Sequence, residues 1–283
     1  PYVMDLQAGR SIVQQLLNQG LDVYLIDWGV PRASDHSLQL SDYIRVRLHH
    51  VVNYLTQLTG SPQVNLMGYC MGGTLAAIYA SLYPDRVRSL ILLATPIDFS
   101  GDESLLHLWT RKEVFDVDGL IDVYGNCPGA FLQACFQLTQ PVQNFVQKYL
   151  GFWERNGDTA FLENFFTVER WANDSIPVAG ETFRDFIKHF YQENRLAEGR
   201  LELRGTRVDL QSVACPLLIV TADRDHLVCP SSSLAIRDLI RSRIVDSMRI
   251  TAGHLGLAIS TQAHQELWPQ ATAWIVTHSS ARF

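Results

Sequence analysis

The sequence has no run of Lys and Arg, no apolar stretch long enough to cross a bilayer, and no CxxC pair. Without a basic run, and with a mild net charge of -6 spread along the chain, nucleic acid is not an expected partner. The apolar stretch Ser89 to Pro96 is too short for a transmembrane segment and reads as a buried strand. The opening Pro1-Tyr2-Val3-Met4-Asp5 lacks the basic start and apolar core of a signal peptide, and it lacks an initiator Met. It reads as the start of a fragment whose upstream part is missing. The five cysteines, Cys70, Cys127, Cys135, Cys215 and Cys229, are odd in number and scattered. Neither a disulfide framework nor a zinc site is indicated, and a reducing cytoplasm is the expected compartment. No cofactor and no metal are expected.

What is present is apolar material. Hydrophobic residues make up 47% of the 283 and charged residues 18%, a globular balance. That length fits a single α/β catalytic domain, residues 1–283, carrying a large insertion. In the first half, helical and strand patterns alternate. Ser11 to Asn18 has helical spacing and stops at Gly20, and Leu21 to Ile26 reads as a strand. Ser41 is the expected cap of a helix running to about Leu58 and ended by Gly60. A strand over Val64 to Met67, a Gly-rich turn, a helix over Thr74 to Tyr83 and a strand over Ser89 to Ala94 follow. Such alternation predicts parallel βαβ units.

From about Phe99 to Val208 strand patterns vanish and aromatics crowd in. Phe183, Phe186, Ile187, Phe190 and Tyr191 recur at the spacing of one helix face. Alternation then resumes, with strands expected over Pro216 to Thr221 and Ser247 to Thr251 and helices over Ser232 to Ile240 and Gln265 to Val276. The expected architecture is a mostly parallel sheet flanked by helices, with a mainly helical cap inserted over residues 99–208.

The most informative stretch is Val64 to Thr74, whose centre reads Gly68-Tyr69-Cys70-Met71-Gly72-Gly73. Strand, Gly-x-Cys-x-Gly, helix is the form of a nucleophile elbow, in which glycines make room for a sharp turn that exposes the nucleophile. Here Cys stands where Ser is usual. The helix N-terminus that follows favours the thiolate. The backbone N–H of Met71 would point where an oxyanion forms, and losing one such donor typically costs about 3 kcal/mol. Alone, a Gly-lined turn holding a small buried Cys would account for the pattern equally well. Partners in the right order downstream tip the balance toward catalysis.

In this fold the acid follows the nucleophile and the base comes last. Asp225 comes after the strand ending at Thr221, at the end of the sheet where an elbow opens. His254 lies just after the next strand, 29 residues on, which leaves room for one helix and one strand. A buried Asp accepting from the His ring would fix its tautomer. Asp223 and Asp98 are rivals; Asp98 is more plausibly a cap at the entry to the insertion, and spacing does not separate Asp223 from Asp225. Of nine histidines, His36, His49, His50, His264 and His278 fall on helix faces or ends that read as exposed, and His107 and His189 read as structural. His226 adjoins the acid and is the candidate substrate-binding residue.

A Cys nucleophile exchanges one thioester for another at little free-energy cost and keeps the acyl group activated, so that a hydroxyl can take it downhill to an oxygen ester. Acyl transfer from a coenzyme A thioester suits Cys better than hydrolysis does. A Cys-dependent thioesterase or ester hydrolase and an inactive scaffold fragment are the alternatives.

Across its length the chain resembles the polyhydroxyalkanoate synthases. The likeness is carried by Tyr2-x-Met4-Asp5-Leu6, Leu25-Ile26-Asp27-Trp28-Gly29 with Pro31, Gly68-Tyr69-Cys70-Met71-Gly72-Gly73, Pro177-Val178-Ala179-Gly180, Tyr191-Gln192-x-Asn194-x-Leu196, Asp225-His226 and Gly253-His254. Asp27-Trp28-Gly29 looks like the class III and IV catalytic chains, which work with a second, smaller subunit. The resemblance implies polymerisation of (R)-3-hydroxyacyl-CoA, 3-hydroxybutyryl-CoA in the first instance, with release of CoA. Cys70 would carry the growing polyester, His254 would deprotonate it, and Asp225 would assist His254 or activate the substrate hydroxyl. The assignment of Asp225 follows the resemblance too, since there the acid directly precedes a His. A homodimer formed through the cap and residence at the surface of cytoplasmic polymer granules are further implications. The family's chain extends upstream, where a strand and loop supply the second oxyanion donor; Pro1 has no N–H, which leaves Tyr2 or a residue before it.

Overall fold

The computed structural model describes residues 2–101 and 104–279. Four parallel strands form its sheet: β3 (Val64–Tyr69), β4 (Val87–Leu93), β7 (Leu217–Ala222) and β8 (Val245–Ile250), ordered β3-β4-β7-β8. Two small antiparallel pairs lie outside it, β1 (Asp5–Gln7) with β2 (Arg10–Ser11) and β5 (Glu202–Leu203) with β6 (Thr206–Arg207).

The alternation of side chains along β4 and β7 builds both layers of the core. Leu90, Leu92, Leu217 and Ile219 face one cluster, completed by Leu75, Ile78 and Tyr79 of helix α3 (Met71–Leu82) and by Ile44 and Val52. Ile91, Leu93, Leu218 and Val220 face the opposite cluster, with Ile12 and Leu16 of helix α1 (Ile12–Asn18) and Trp268, Ala271 and Ile275 of helix α13 (Trp268–Ser279). Strands covered on both faces read as continuous apolar runs, which is why these two were visible in the sequence. Ser11 caps α1 by accepting from the Gln14 N–H, and Gly60, at φ 70°, ends helix α2 (His49–Thr59) in the left-handed conformation glycine tolerates.

Between β4 and β7 the chain is mainly helical: α4 (Leu105–Thr110), α5 (Val117–Tyr124), α6 (Gly129–Leu138), α7 (Lys148–Glu154), α8 (Thr159–Asn173) and α9 (Gly180–Phe186). Phe183, Phe186, Ile187 and Phe190 are buried, as their spacing predicts. The β5–β6 pair lies within this stretch too, its two-residue strands too short to show in a periodicity. After β7 come α10 (Pro230–Leu234), α11 (Ile236–Leu239) and, beyond β8, α12 (Gly256–Ile259).

Three expectations are corrected. Leu21 to Ile26 is not a strand. Leu21 and Val23 pack on one core cluster and Ile26 on the other, while Tyr24 and Leu25 are exposed, and no strand runs beside this segment among the described residues. A strand needs a hydrogen-bonded partner as well as an apolar pattern. Ser41 does not cap the following helix: its backbone is already helical, its hydroxyl is buried, and the Asp42 carboxylate instead accepts from the Gln39 N–H at 2.9 Å. His264 is buried, with Nε2 at 2.8 Å from the Ala258 carbonyl.

Candidate active site

Cys70 joins β3 to α3 with φ 53° and ψ -126°, a left-handed backbone that L residues rarely adopt. Hydrogen bonds hold the turn there. The Cys70 N–H donates to the Leu93 carbonyl at 2.9 Å, and the Cys70 carbonyl accepts from the Gly73 N–H at 2.8 Å. The flanking glycines are steric necessities. A Cβ on Gly68 would lie 2.5 Å from the Gly72 carbonyl oxygen, and one on Gly73 would lie 1.8 Å from Thr95 Oγ1. Met71 is the first residue of α3, so its N–H belongs to the turn that has no acceptor within the helix. It is thereby available to a developing oxyanion beside the thiol.

Asp225 follows β7 in a tight turn, its N–H donating to the Ala222 carbonyl at 3.2 Å. One carboxylate oxygen accepts the N–H groups of Leu227 and Val228, each at 2.9 Å. The other lies 2.7 Å from Nδ1 of His254, on the loop after β8. Both side chains are buried, the carboxylate at 1% exposure and the imidazole at 9%. An ionised carboxylate can only accept, so Nδ1 carries the proton and Nε2 faces away from Asp225. The Cys70 thiol is near enough to act on this ring electrostatically. Burial alone would lower the imidazole's pKa, but the charge on Cys70, then the bond to Asp225, outweigh it and push His254 up to about 10.

The rival carboxylates are engaged elsewhere. Asp223 pairs with Arg249 and accepts from the Thr251 hydroxyl at 3.3 Å. Asp98 accepts from the Ser100 N–H at 2.9 Å and from Asn194 Nδ2 at 2.8 Å. His226, the candidate substrate-binding residue, is exposed at the Asp225 turn and does not line the adjacent cavity. That cavity measures about 300 Å³, and Asp98, Phe99, Ser104, Tyr191, Leu227 and Val228 are among its walls. Burial, then the Cys70 charge, raise the Tyr191 phenol above the usual range. In the sequence Tyr191 is only the last residue of an apolar helix face, and no local pattern announces its place in the cavity wall. Tyr69 is the second such residue. Its hydroxyl donates to the His254 carbonyl at 3.0 Å, and its ring stacks on the imidazole. Tyr2, named as a possible oxyanion donor, is in a short 3-10 turn that packs against α12, with its hydroxyl donating to Asp174 at 2.8 Å. Among the described residues no cluster of three or more His, Cys, Asp or Glu is placed to hold a metal, and no helix is long and apolar enough to cross a membrane.

Residues 3–257 match the α/β-hydrolase fold family. A monoacylglycerol lipase from Paleococcus ferrophilus superposes with a TM-score of 0.56 over 94% of this chain and 88% of its own, at 12% identity, which speaks to the fold alone. Closer in sequence is the poly(3-hydroxyalkanoate) polymerase subunit PhaC of Haloferax mediterranei, 40% identical over 279 residues, 99% of this chain and 57% of that protein. The PhaC subunit of Allochromatium vinosum is 40% identical over 275 residues, 97% of this chain and 77% of its own length. The chain belongs to the PhaC family. It spans between about half and three quarters of the length of these PhaC relatives.

Proposed function

We propose that this chain carries the acyltransferase centre of a polyhydroxyalkanoate synthase, polymerising (R)-3-hydroxyacyl-CoA, in the first instance 3-hydroxybutyryl-CoA, with release of CoA. The observation that supports it most is a buried His254 bonded to Asp225 and raised in pKa by the charge on Cys70, in a PhaC-family chain whose elbow holds Cys. The Cys70 thiolate attacks the thioester carbonyl, and the Met71 N–H stabilises the resulting oxyanion. Collapse expels the CoA sulfur, which takes the proton from the His254 imidazolium and leaves an acyl group on Cys70. A second unit's hydroxyl then attacks that thioester. His254, oriented by Asp225, accepts the hydroxyl proton, an oxygen ester forms, and the Cys70 thiolate is freed for the next round.

The residues between β4 and β7 would cover this centre as a cap and form a homodimer contact, and a second, smaller subunit would complete the enzyme at a granule surface. His226 would contact substrate from the rim of the site. Supplying purified protein with (R)-3-hydroxybutyryl-CoA, with and without a candidate partner, tests the proposal by its products. CoA release with polyester formation is expected. Free hydroxy acid without chain growth would make it a thioesterase instead, and no turnover in either condition would leave a scaffold.

A further inference from the structure

We propose that Tyr69 is the positioning residue of this site, locking the His254 ring onto the thiol through its hydroxyl and its aromatic face. Tyr69 is the last residue of β3 and is joined directly to Cys70. Its ring packs with the core cluster that also holds Met67 and Val220. That places it on the sheet face that also holds Ile250, Leu257 and Ala258, against the loop that carries His254. Two separate contacts then bind it to one residue. The phenol O–H donates to the His254 main-chain carbonyl at 3.0 Å, which fixes where the loop lies. The ring lies nearly parallel to the imidazole, with centroids 4.9 Å apart and planes 21° apart, which fixes how the imidazole is turned.

Asp225 alone leaves the imidazole one freedom. A single hydrogen bond at Nδ1 acts as a pivot, and rotation about it would swing Nε2 off the sulfur. Stacking on Tyr69 removes that rotation. The hydroxyl contact removes the translation of the loop, and the covalent link to Cys70 means that nucleophile and base are referenced to the same residue. Burial, then the charges on Cys70 and Asp225, keep the phenol well above its usual range, so the hydroxyl stays a donor wherever the centre works. A purely structural tyrosine at this position would need neither the stack nor the carbonyl bond to fall on His254.

Because it presumes the Cys70–His254 chemistry, the test reads thiol and imidazole directly instead of polymer. Wild-type protein, Y69F and Y69L are compared by the alkylation rate of Cys70 with iodoacetamide at pH 7, followed by mass spectrometry of its peptide. The His254 titration is followed by NMR of 13C-labelled histidine, assigned with H254Q. Y69F keeps the stack and loses one hydrogen bond, so Cys70 should react about three- to tenfold more slowly. Y69L loses both contacts and should fall further, with the His254 titration moving from about 10 toward an ordinary histidine value. A Y69F rate and titration superimposable on wild type overturn the proposal, whether or not Y69L folds. A wild-type Cys70 no faster than Cys215, whose thiol burial pushes up to about 11, would instead overturn the triad.

Discussion

Nδ1 of His254 lies 2.7 Å from one oxygen of Asp225, while the other oxygen of that carboxylate takes two backbone N–H groups. The carboxylate is therefore held from behind before it touches the imidazole, and its charge has nowhere to relax. An Asp225→Asn variant keeps the volume but can present an N–H to Nδ1, which favours the wrong tautomer. Loss of about 10²- to 10⁴-fold in the rate of CoA release is expected, by analogy with triads in general. Asp223→Asn is the control, since it removes an exposed pair with Arg249. It should change stability by less than about 1 kcal/mol and leave the rate within about twofold. A reversed ranking of the two variants would move the acid to Asp223.

The elbow's sterics predict a second result. Gly73→Ala drives a methyl into Thr95, so the turn at Cys70 must shift or the helix must back away. A loss of about 1–3 kcal/mol in urea unfolding is expected, together with slower alkylation of Cys70. Adding Thr95→Ala removes the two atoms of Thr95 beyond its Cβ and should restore part of both. Failure of the double variant to recover anything would mean that the clash is not the cause.

Titration of His254 predicts how stability responds to pH. Its folded pKa, about 10, lies above the ordinary 6.5, so between these values the folded state holds a proton that the unfolded chain has released. The contribution is fully present below about pH 6.5 and is lost as pH rises through 10. Urea midpoints should fall over that window, and the slope should flatten in His254→Gln. His264 works in the opposite sense: burial lowers its pKa, so its contribution is lost as pH falls below the ordinary histidine range. An H254Q slope equal to the parent's would show that the raised proton affinity lies elsewhere.

How much of this was legible in the sequence follows from the range of each interaction. The elbow could be read because its requirements are local: glycine is dictated at Gly68 and Gly73 by atoms a few residues away or just past the end of the next strand. The two central strands could be read because burial on both faces leaves an unbroken apolar run. Leu21 to Ile26 misled because Leu21, Val23 and Ile26 pack against the core while the backbone has no strand beside it. Tyr69 and Tyr191 needed the fold, and spacing alone did not separate Asp223 from Asp225. The two tyrosines meet residues far along the chain, and for the acid the direction in which a side chain leaves the turn decides, for which residues two apart on an irregular loop share no rule. Ser41 failed as a cap because the helix already begins at Leu40, with Ser41 itself in helical conformation.

The central claim is that Cys70 becomes acylated, and peptide mass spectrometry after brief exposure to (R)-3-hydroxybutyryl-CoA tests it most directly. The account predicts a thioester on the peptide containing Cys70, labile to hydroxylamine and absent in Cys70→Ala. Acyl groups on none of the five cysteines, with CoA nonetheless released by both wild type and Cys70→Ala, would contradict it.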